Sequence, residues 1–327
     1  MKNIAVLMGG YSRESEVSLK SAATVVEHLD KSKYASYPIL ITKEKWVYVD
    51  SQNQEFVVDK NDFSLTLKGK KITFDCAFNA IHGTPGEDGY LQAYFALVGV
   101  PITGCSMYAS ALTFNKRDML SVLSPYGIPR AKAYYLNQGE HFSVREIIKT
   151  VGLPCFVKAN RSGSSFGVYK AYNEKDIDEA IEKAFEVDNE IIIEEFLKGT
   201  EVSVGVITYR GKKKVLPITE IVSENDFFDY QAKYQGRSKE ITPARLTAQE
   251  KEKVEALALK VYDLLQMKGF SRSEYILVGG EPYLLEMNTT PGLSNASILP
   301  QQAKAAGITL ANLFDNAIEE VMETHEE

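Results

Sequence analysis

The sequence predicts an α/β protein whose amino-terminal part is a parallel α/β domain and whose remainder is two α+β units. Two short apolar runs, at 4–8 and 74–81, each end in a glycine-containing loop and lead into residues with helical spacing, the strand–loop–helix pattern of parallel sheets. SPYGIPR, at 124–130, then interrupts the chain, and beyond it strand-like segments alternate with isolated helices.

Taken in order, the first strand, 4–8, stops at Gly9-Gly10, and Val17, Ala22, Val25 and Leu29 recur at helical spacing after it. The strand 74–81 enters the loop HGTPGEDG and then the helical YLQAYFALVG, so functional loops are expected at the carboxyl ends of these strands. A helix is expected from Ala109 through Leu120, up to the break. Next come a strand at 155–159, a loop rich in Ser and Gly, a second strand VYKAY, a charged helix at 174–187 and a strand at 191–197. EVSVGVITY, KVLPITEIV, a helix at 247–267 and strands at 272–278 and 282–288 form the last unit, closed by an amphipathic helix at 308–322. The expected domains are 1–112, 113–201 and 202–327.

Of the 327 residues, 44% are hydrophobic and 25% charged, ordinary for a globular chain able to bury an active site. The net charge of -7 argues against nucleic-acid or anionic-membrane partners but leaves small anionic substrates open. Cys76, Cys105 and Cys155 lie far apart without a CxxC, which points to buried thiols in a reducing compartment. No run reaches ~18 apolar residues, and the first one is too short for a signal peptide, so a cytoplasmic location is expected.

GSSFG, at 163–167, fits the G-x-S-x-G nucleophile elbow, but a strand follows it where a helix is required. The one histidine beyond Ser165 is His325, which leaves no credible base. FVKANRSGSSFGVYK reads better as a hairpin whose small, polar tip brings backbone N–H groups and Lys158 to phosphate oxygens, or as a plain surface hairpin. Both the Walker P-loop and the GxGxxG fingerprint are missing. On IIIEEFLKGTE, Glu194 and Glu201 suit a base amino group and ribose hydroxyls, and an edge strand with solvated acids fits as well. Glu286 and Asn288 share a strand face, suiting one hard cation or simply a wet face. A hairpin loop of three or five residues centred on Gly280 sets Glu274 opposite Glu286 and Arg272 opposite Asn288, an arrangement that needs cations between the acids.

In sequence order, GGYSRESEVSLKSA, HGTPGEDGYLQ, PITGCSMYASALTFNK, VKANRSGSSFG, IIIEEFLKGTE, FFDYQAKY and LLEMNTTPGLSNASILP resemble the D-alanine–D-alanine ligases of the ATP-grasp superfamily, nearly end to end. The resemblance implies a pre-ATP-grasp domain followed by the two α+β lobes of an ATP-grasp fold, with a lid at about 223–241. It implies that ATP is held by Lys116, Lys158, Glu194, Phe196, Leu197, Glu201 and Lys233, with Phe227 near the base. Glu274, Glu286 and Asn288 would carry two Mg²⁺, with Mn²⁺ as a substitute. Glu14 would pair with the ammonium of the first D-alanine, braced by Ser164 and Tyr234, while Arg272 and the Gly292 N–H face the oxyanion. Ser297 and Ile298 would receive the second D-alanine, near His82, in a homodimeric enzyme. The implied product is D-alanyl-D-alanine for peptidoglycan precursors. A depsipeptide with D-lactate or a dipeptide with D-serine is the alternative, against which Tyr234 speaks because depsipeptide enzymes carry His on that loop.

The chain departs from the family at Arg272-Ser273-Glu274, where Arg-x-Asp is usual, with a hairpin about one residue short. Further departures are Ser162 for an acid, Ala159 for Pro and Phe196 for Trp. A catalytically silent nucleotide-binding scaffold is the competing class, and Glu274 is what motivates it.

Overall fold

The computed structural model describes residues 1–223 and 238–323. It opens with β1 (Lys2–Gly9), α1 (Ser15–His28), β2 (Tyr34–Ile41), β3 (Trp46–Val49), β4 (Glu55–Asp59), β5 (Ser64–Leu67), β6 (Lys70–Ile72) and β7 (Cys76–Asn79). These strands form one seven-stranded sheet in the order β6-β5-β4-β3-β2-β1-β7. Only β2, β1 and β7 are mutually parallel; β3 to β6 extend the sheet as an antiparallel meander. That meander is absent from the sequence-based expectation.

Helices α2 (Tyr90–Val98), α3 (Met107–Phe114) and α4 (Lys116–Leu123) follow. The single helix expected from Ala109 is therefore two, because Asn115 leaves helical geometry and caps α4 by accepting from the Asp118 N–H. Lys116 thereby becomes the first residue of a helix. The central lobe holds β8 (Ala133–Asn137), α5 (Val144–Val151), β9 (Cys155–Ala159), β10 (Val168–Ala171), α6 (Glu174–Phe185) and β11 (Glu190–Glu195), with sheet order β10-β9-β11-β8. Val157, Ile191 and Ile193 bury one face of this sheet against Ile147, Ile177 and Ile181 of α5 and α6.

The last unit comprises β12 (Thr200–Tyr209), β13 (Lys212–Val215), β14 (Thr219–Ser223), β15 (Ser238–Ile241), α7 (Ala248–Leu264), β16 (Phe270–Val278), β17 (Glu281–Asn288), α8 (Ile298–Ala305) and α9 (Leu310–Glu323). KVLPITEIV is two strands rather than one, β13 and β14 pairing with different stretches of β12. Most of the expected lid falls outside the described residues; its flanks, β14 and β15, pair antiparallel. The carboxyl-terminal α9 packs on the first sheet, where Phe314 meets Phe78 edge-on at 5.5 Å. The amino-terminal sheet and the last unit thus share a hydrophobic core. All three cysteines are buried and free, as expected. Among the described residues no helix is long and apolar enough to cross a membrane.

Candidate active site

Between the central sheet and the last sheet lies a cavity of about 440 Å³. Lys116, Lys158, Glu194, Glu201, Glu274 and Glu286 line it, side chains from α4, β9, β11, β12, β16 and β17. Local chemistry sets each position. Asn160, just after β9, donates to Asn115 Oδ1 (2.7 Å) and accepts from Arg117 N (2.9 Å), tying the start of α4 to the strand that carries Lys158. Lys116 Nζ then donates to the Ser162 carbonyl (2.7 Å) and lies 3.2 Å from Glu286 Oε2.

Lys158 Nζ donates to Glu194 Oε2 at 2.7 Å, and Glu194 is 2% exposed. Burial works against the Lys158 charge, but Glu194, with Glu286 and Glu201, outweighs it and holds the ammonium above its ordinary value. Glu194 is therefore a buried, paired acid rather than a solvated one. Its other oxygen, Oε1, is buried without a partner among the described residues, so it suits a donor from a bound ligand. Phe156 and Phe196, with ring centroids 6.0 Å apart, add apolar area beside it, and the Lys170 ammonium stands 4.2 Å from the Phe196 centroid. Phe156 was not among the residues expected; its period-2 position before Lys158 was the available signal.

The β16–β17 hairpin sets Glu274 opposite Glu286 and Arg272 opposite Asn288, the expected pairing. The expected loop is wrong, however. Gly279 and Gly280, with φ of 59° and 81°, form a two-residue turn, and that turn alone would put Glu274 opposite Leu285. A bulge between Glu274 and Tyr275 supplies the extra residue and restores the register. Leu285 and Glu286, though adjacent, both line the cavity as a result. Arg272 contacts Glu274 and donates to Ser203 Oγ (3.1 Å), so both facing acids meet protein cations. Among the described residues no three or more His, Cys, Asp or Glu gather as a metal cage. Two acids and an amide oxygen instead suit Mg²⁺ that draws its remaining ligands from phosphate and water.

The tip of the β9–β10 hairpin reaches the amino-terminal domain. Ser164 Oγ donates to Glu14 Oε1, and Glu14 sits at the N-cap of α1. A Cβ at Gly163 would lie 2.6 Å from Glu14 Oε2, so any side chain there would push the Glu14 carboxylate out of this position. The antiparallel β9–β10 pairing excludes the strand–turn–helix that a nucleophilic Ser165 needs. His82 is 4% exposed, with Nε2 3.1 Å from Ser21 Oγ and Nδ1 2.7 Å from the Thr290 carbonyl. Ser297 stands at the N-cap position of α8, which begins at Ile298, but its hydroxyl makes no capping bond; it bonds Ser294 Oγ at 2.8 Å beside Gly292, where a Cβ would come within 2.7 Å of Ser297 Oγ. Phe227, Lys233 and Tyr234 lie outside the described residues.

Family models described as D-ala D-ala ligase N-terminus and C-terminus match residues 3–105 and 122–319. The chain is 63% identical over 319 residues to a D-alanine–D-alanine ligase of Flavobacterium johnsoniae, covering 98% of this chain and 99% of that protein. Against a D-alanine–D-alanine ligase of Phocaeicola vulgatus the identity is 45%, over 97% of this chain and 98% of the relative. Among solved structures, the VanG D-Ala:D-Ser ligase of Enterococcus faecalis superposes with a TM-score of 0.86 at 33% identity, over 97% of this chain and 98% of that one. A D-alanine–D-alanine ligase of Bacillus anthracis complexed with ATP gives 0.81 at 30% identity, over 100% and 99%.

Proposed function

We infer that this chain, which belongs to the D-alanine–D-alanine ligase family, joins two D-alanines with ATP to give D-alanyl-D-alanine, ADP and phosphate for peptidoglycan precursors. The observation that carries the site assignment is the convergence of Lys116, Lys158, Glu194, Glu201, Glu274 and Glu286 on one cavity beside the Glu14–Ser164 contact. The domain division at 112/113 and 201/202 is our reading of the same architecture.

In this reading Phe156, Phe196 and Leu197 flank the base, the Glu194 region meets its amino group, and Glu201 accepts from ribose hydroxyls. Lys116 and Lys158 neutralise phosphate oxygens as point charges. Glu14, oriented by Ser164, holds the first ammonium. A carboxylate oxygen of that D-alanine attacks the γ-phosphorus and ADP leaves. The amine of the second D-alanine, its carboxylate at Ser297 and Ile298 on the amino end of α8, then attacks the acyl carbon. The amine loses a proton, and phosphate departs with the former carboxylate oxygen. Arg272 and the Gly292 N–H face the oxyanion formed on the way. Glu274, Glu286 and Asn288 would hold two Mg²⁺, or Mn²⁺, which neutralise charge between the phosphates.

Phosphate release and product mass, measured with D-alanine alone and with D-serine or D-lactate added, test this. D-alanyl-D-alanine as the main product supports it. Preference for D-serine would move the chain toward a D-Ala:D-Ser ligase such as VanG, and no turnover with any of them would favour a silent scaffold.

Glu274→Asp shortens a side chain held by Arg272 on a register that the bulge already sets. We expect turnover to fall about tenfold and the magnesium requirement to rise, since the retracted carboxylate leaves the facing Glu286. Wild-type magnesium dependence in this variant would count against Glu274 as a ligand. A homodimer is proposed through α2 and α3, which contain no charged residue and expose Leu97 (88%), Tyr90 (70%) and Tyr108 (66%). Leu97→Glu should then yield monomers in light scattering; an unchanged mass would put the interface elsewhere.

A further inference from the structure

Glu87 is 8% exposed and belongs to no role assigned above. Its Oε2 accepts from Gly83 N at 2.6 Å, in its own loop, and its Oε1 accepts from Thr290 N at 3.2 Å, in the turn that carries Gly292. Thr290 is gripped at its other polar atoms too. Asn79 Nδ2 lies 3.4 Å from Thr290 Oγ1 and also donates to the Gly86 carbonyl (2.9 Å), while His82 Nδ1 meets the Thr290 carbonyl. A carbonyl only accepts, so Nδ1 carries the ring proton. Burial holds the His82 pKa below its ordinary value, which keeps the ring neutral and leaves Nε2 to accept from Ser21 O–H. Ser21 Oγ in turn accepts from Leu293 N at 3.1 Å. The hydrogen bonds therefore run in one direction, from Leu293 through Ser21 and His82 back to Thr290, and enclose Gly292.

Every donor and acceptor in this ring is buried: Ser21 is 0%, Asn79 6% and Thr290 6% exposed. A buried network of this kind is costly to break at any member, so it fixes geometry. Asn288 is drawn in as well, since its Oδ1 accepts from the same Thr290 N–H at 3.0 Å. The residues gripping the turn come from the domain that also carries Glu14, at the start of the helix that holds Ser21. Burial and the nearby Glu14 carboxylate push the Glu87 pKa up to about 8, against the pull of its two N–H donors, so Glu87 is a strongly desolvated group.

We propose that Glu87 is a positioning residue for the ligation: with His82 and Asn79 it clasps Thr290, while Ser21 holds Leu293, and so sets the Gly292 N–H and Asn288 at a fixed distance from Glu14. The clasp rests on the ligase reading and deepens it. One domain then fixes both the first amino acid and the groups that meet the developing oxyanion. His82 acts through Thr290, because both of its ring nitrogens are engaged by protein atoms.

The test is steady-state kinetics of Glu87→Gln and Ser21→Ala, with binding of a phosphinate dipeptide analogue measured separately. Gln sets an N–H₂ against one of the two backbone N–H donors, and Ser21→Ala cuts the ring at a different point with a smaller side chain suited to the same helix. We expect kcat with D-alanine to fall about 10²-fold for Glu87→Gln and about tenfold for Ser21→Ala, as small displacements of reacting groups do. The phosphinate affinity should fall in step while KM for ATP stays within about twofold, because the ATP cavity borders none of these residues. If Glu87→Gln fails to fold, the same split in Ser21→Ala carries the test. Wild-type kcat and phosphinate affinity in the folded variants overturn the proposal, as does a parallel loss for ATP and D-alanine tracking lost thermal stability. An active wild type with unaffected variants overturns the clasp alone; an inactive wild type overturns the ligase reading and the clasp with it.

Discussion

Glu286→Gln should lower kcat for D-alanine-dependent phosphate release by about 10²- to 10³-fold while leaving a folded protein. Glu286 faces Glu274 across the hairpin and lies 3.2 Å from Lys116, so it stands where cations are gathered and where phosphate charge must be met. Removing its charge weakens cation binding and transition-state neutralisation together. If repulsion between two bare carboxylates dominated, the metal-free variant would be more stable than wild type. The structure sets Lys116 and Arg272 against those carboxylates, so the repulsion is already relieved and stability should shift by no more than about 1 kcal/mol. A magnesium titration with thermal melts of the metal-free protein checks both statements. Near-normal turnover and magnesium dependence in the folded variant would return this strand to an amphipathic element with one wet face.

Lys158→Ala should weaken ATP binding and also destabilise the fold, by about 3–5 kcal/mol, because it strands the buried Glu194 carboxylate. From sequence alone the variant looks neutral for folding; the 2.7 Å contact to a residue 2% exposed changes that expectation. Adding Glu194→Gln removes the stranded charge and should recover most of the stability. Compared with Glu194→Gln alone, the double variant should still bind ATP about 30-fold more weakly, the worth of a hydrogen bond between charged groups. Calorimetric titration with ATP and thermal melts of the three variants separate the two effects. Equal ATP affinity of the double variant and Glu194→Gln would remove Lys158 from the nucleotide site.

Local signals made much of this legible. Strand period and glycine loops located β1, β9, β16 and β17, and small polar residues between Lys158 and Val168 announced the hairpin that meets Glu14. The meander β3 to β6 escaped because its strands are only three to five residues long, too short for alternation to register. The break at Asn115 was hidden inside continuous helical spacing, although Asn followed three residues later by Asp is a capping pattern. The hairpin gave the right register for the wrong reason: a bulge is invisible to a count of residues around a turn. Glu87 carries its role in contacts made 203 residues along the chain, which no local pattern encodes. The contacts of Lys116 with Ser162 and of Ser164 with Glu14 belong to the same class, and only the motif order pointed to them.

The central claim is that ATP activates the carboxylate of one D-alanine by direct phosphoryl transfer. D-Alanine labelled with ¹⁸O in its carboxylate, turned over with unlabelled ATP and magnesium, reads this in the released phosphate by mass spectrometry. One ¹⁸O in each phosphate, equal in amount to the D-alanyl-D-alanine formed, is the predicted result. Phosphate that carries no ¹⁸O while dipeptide accumulates would contradict the account.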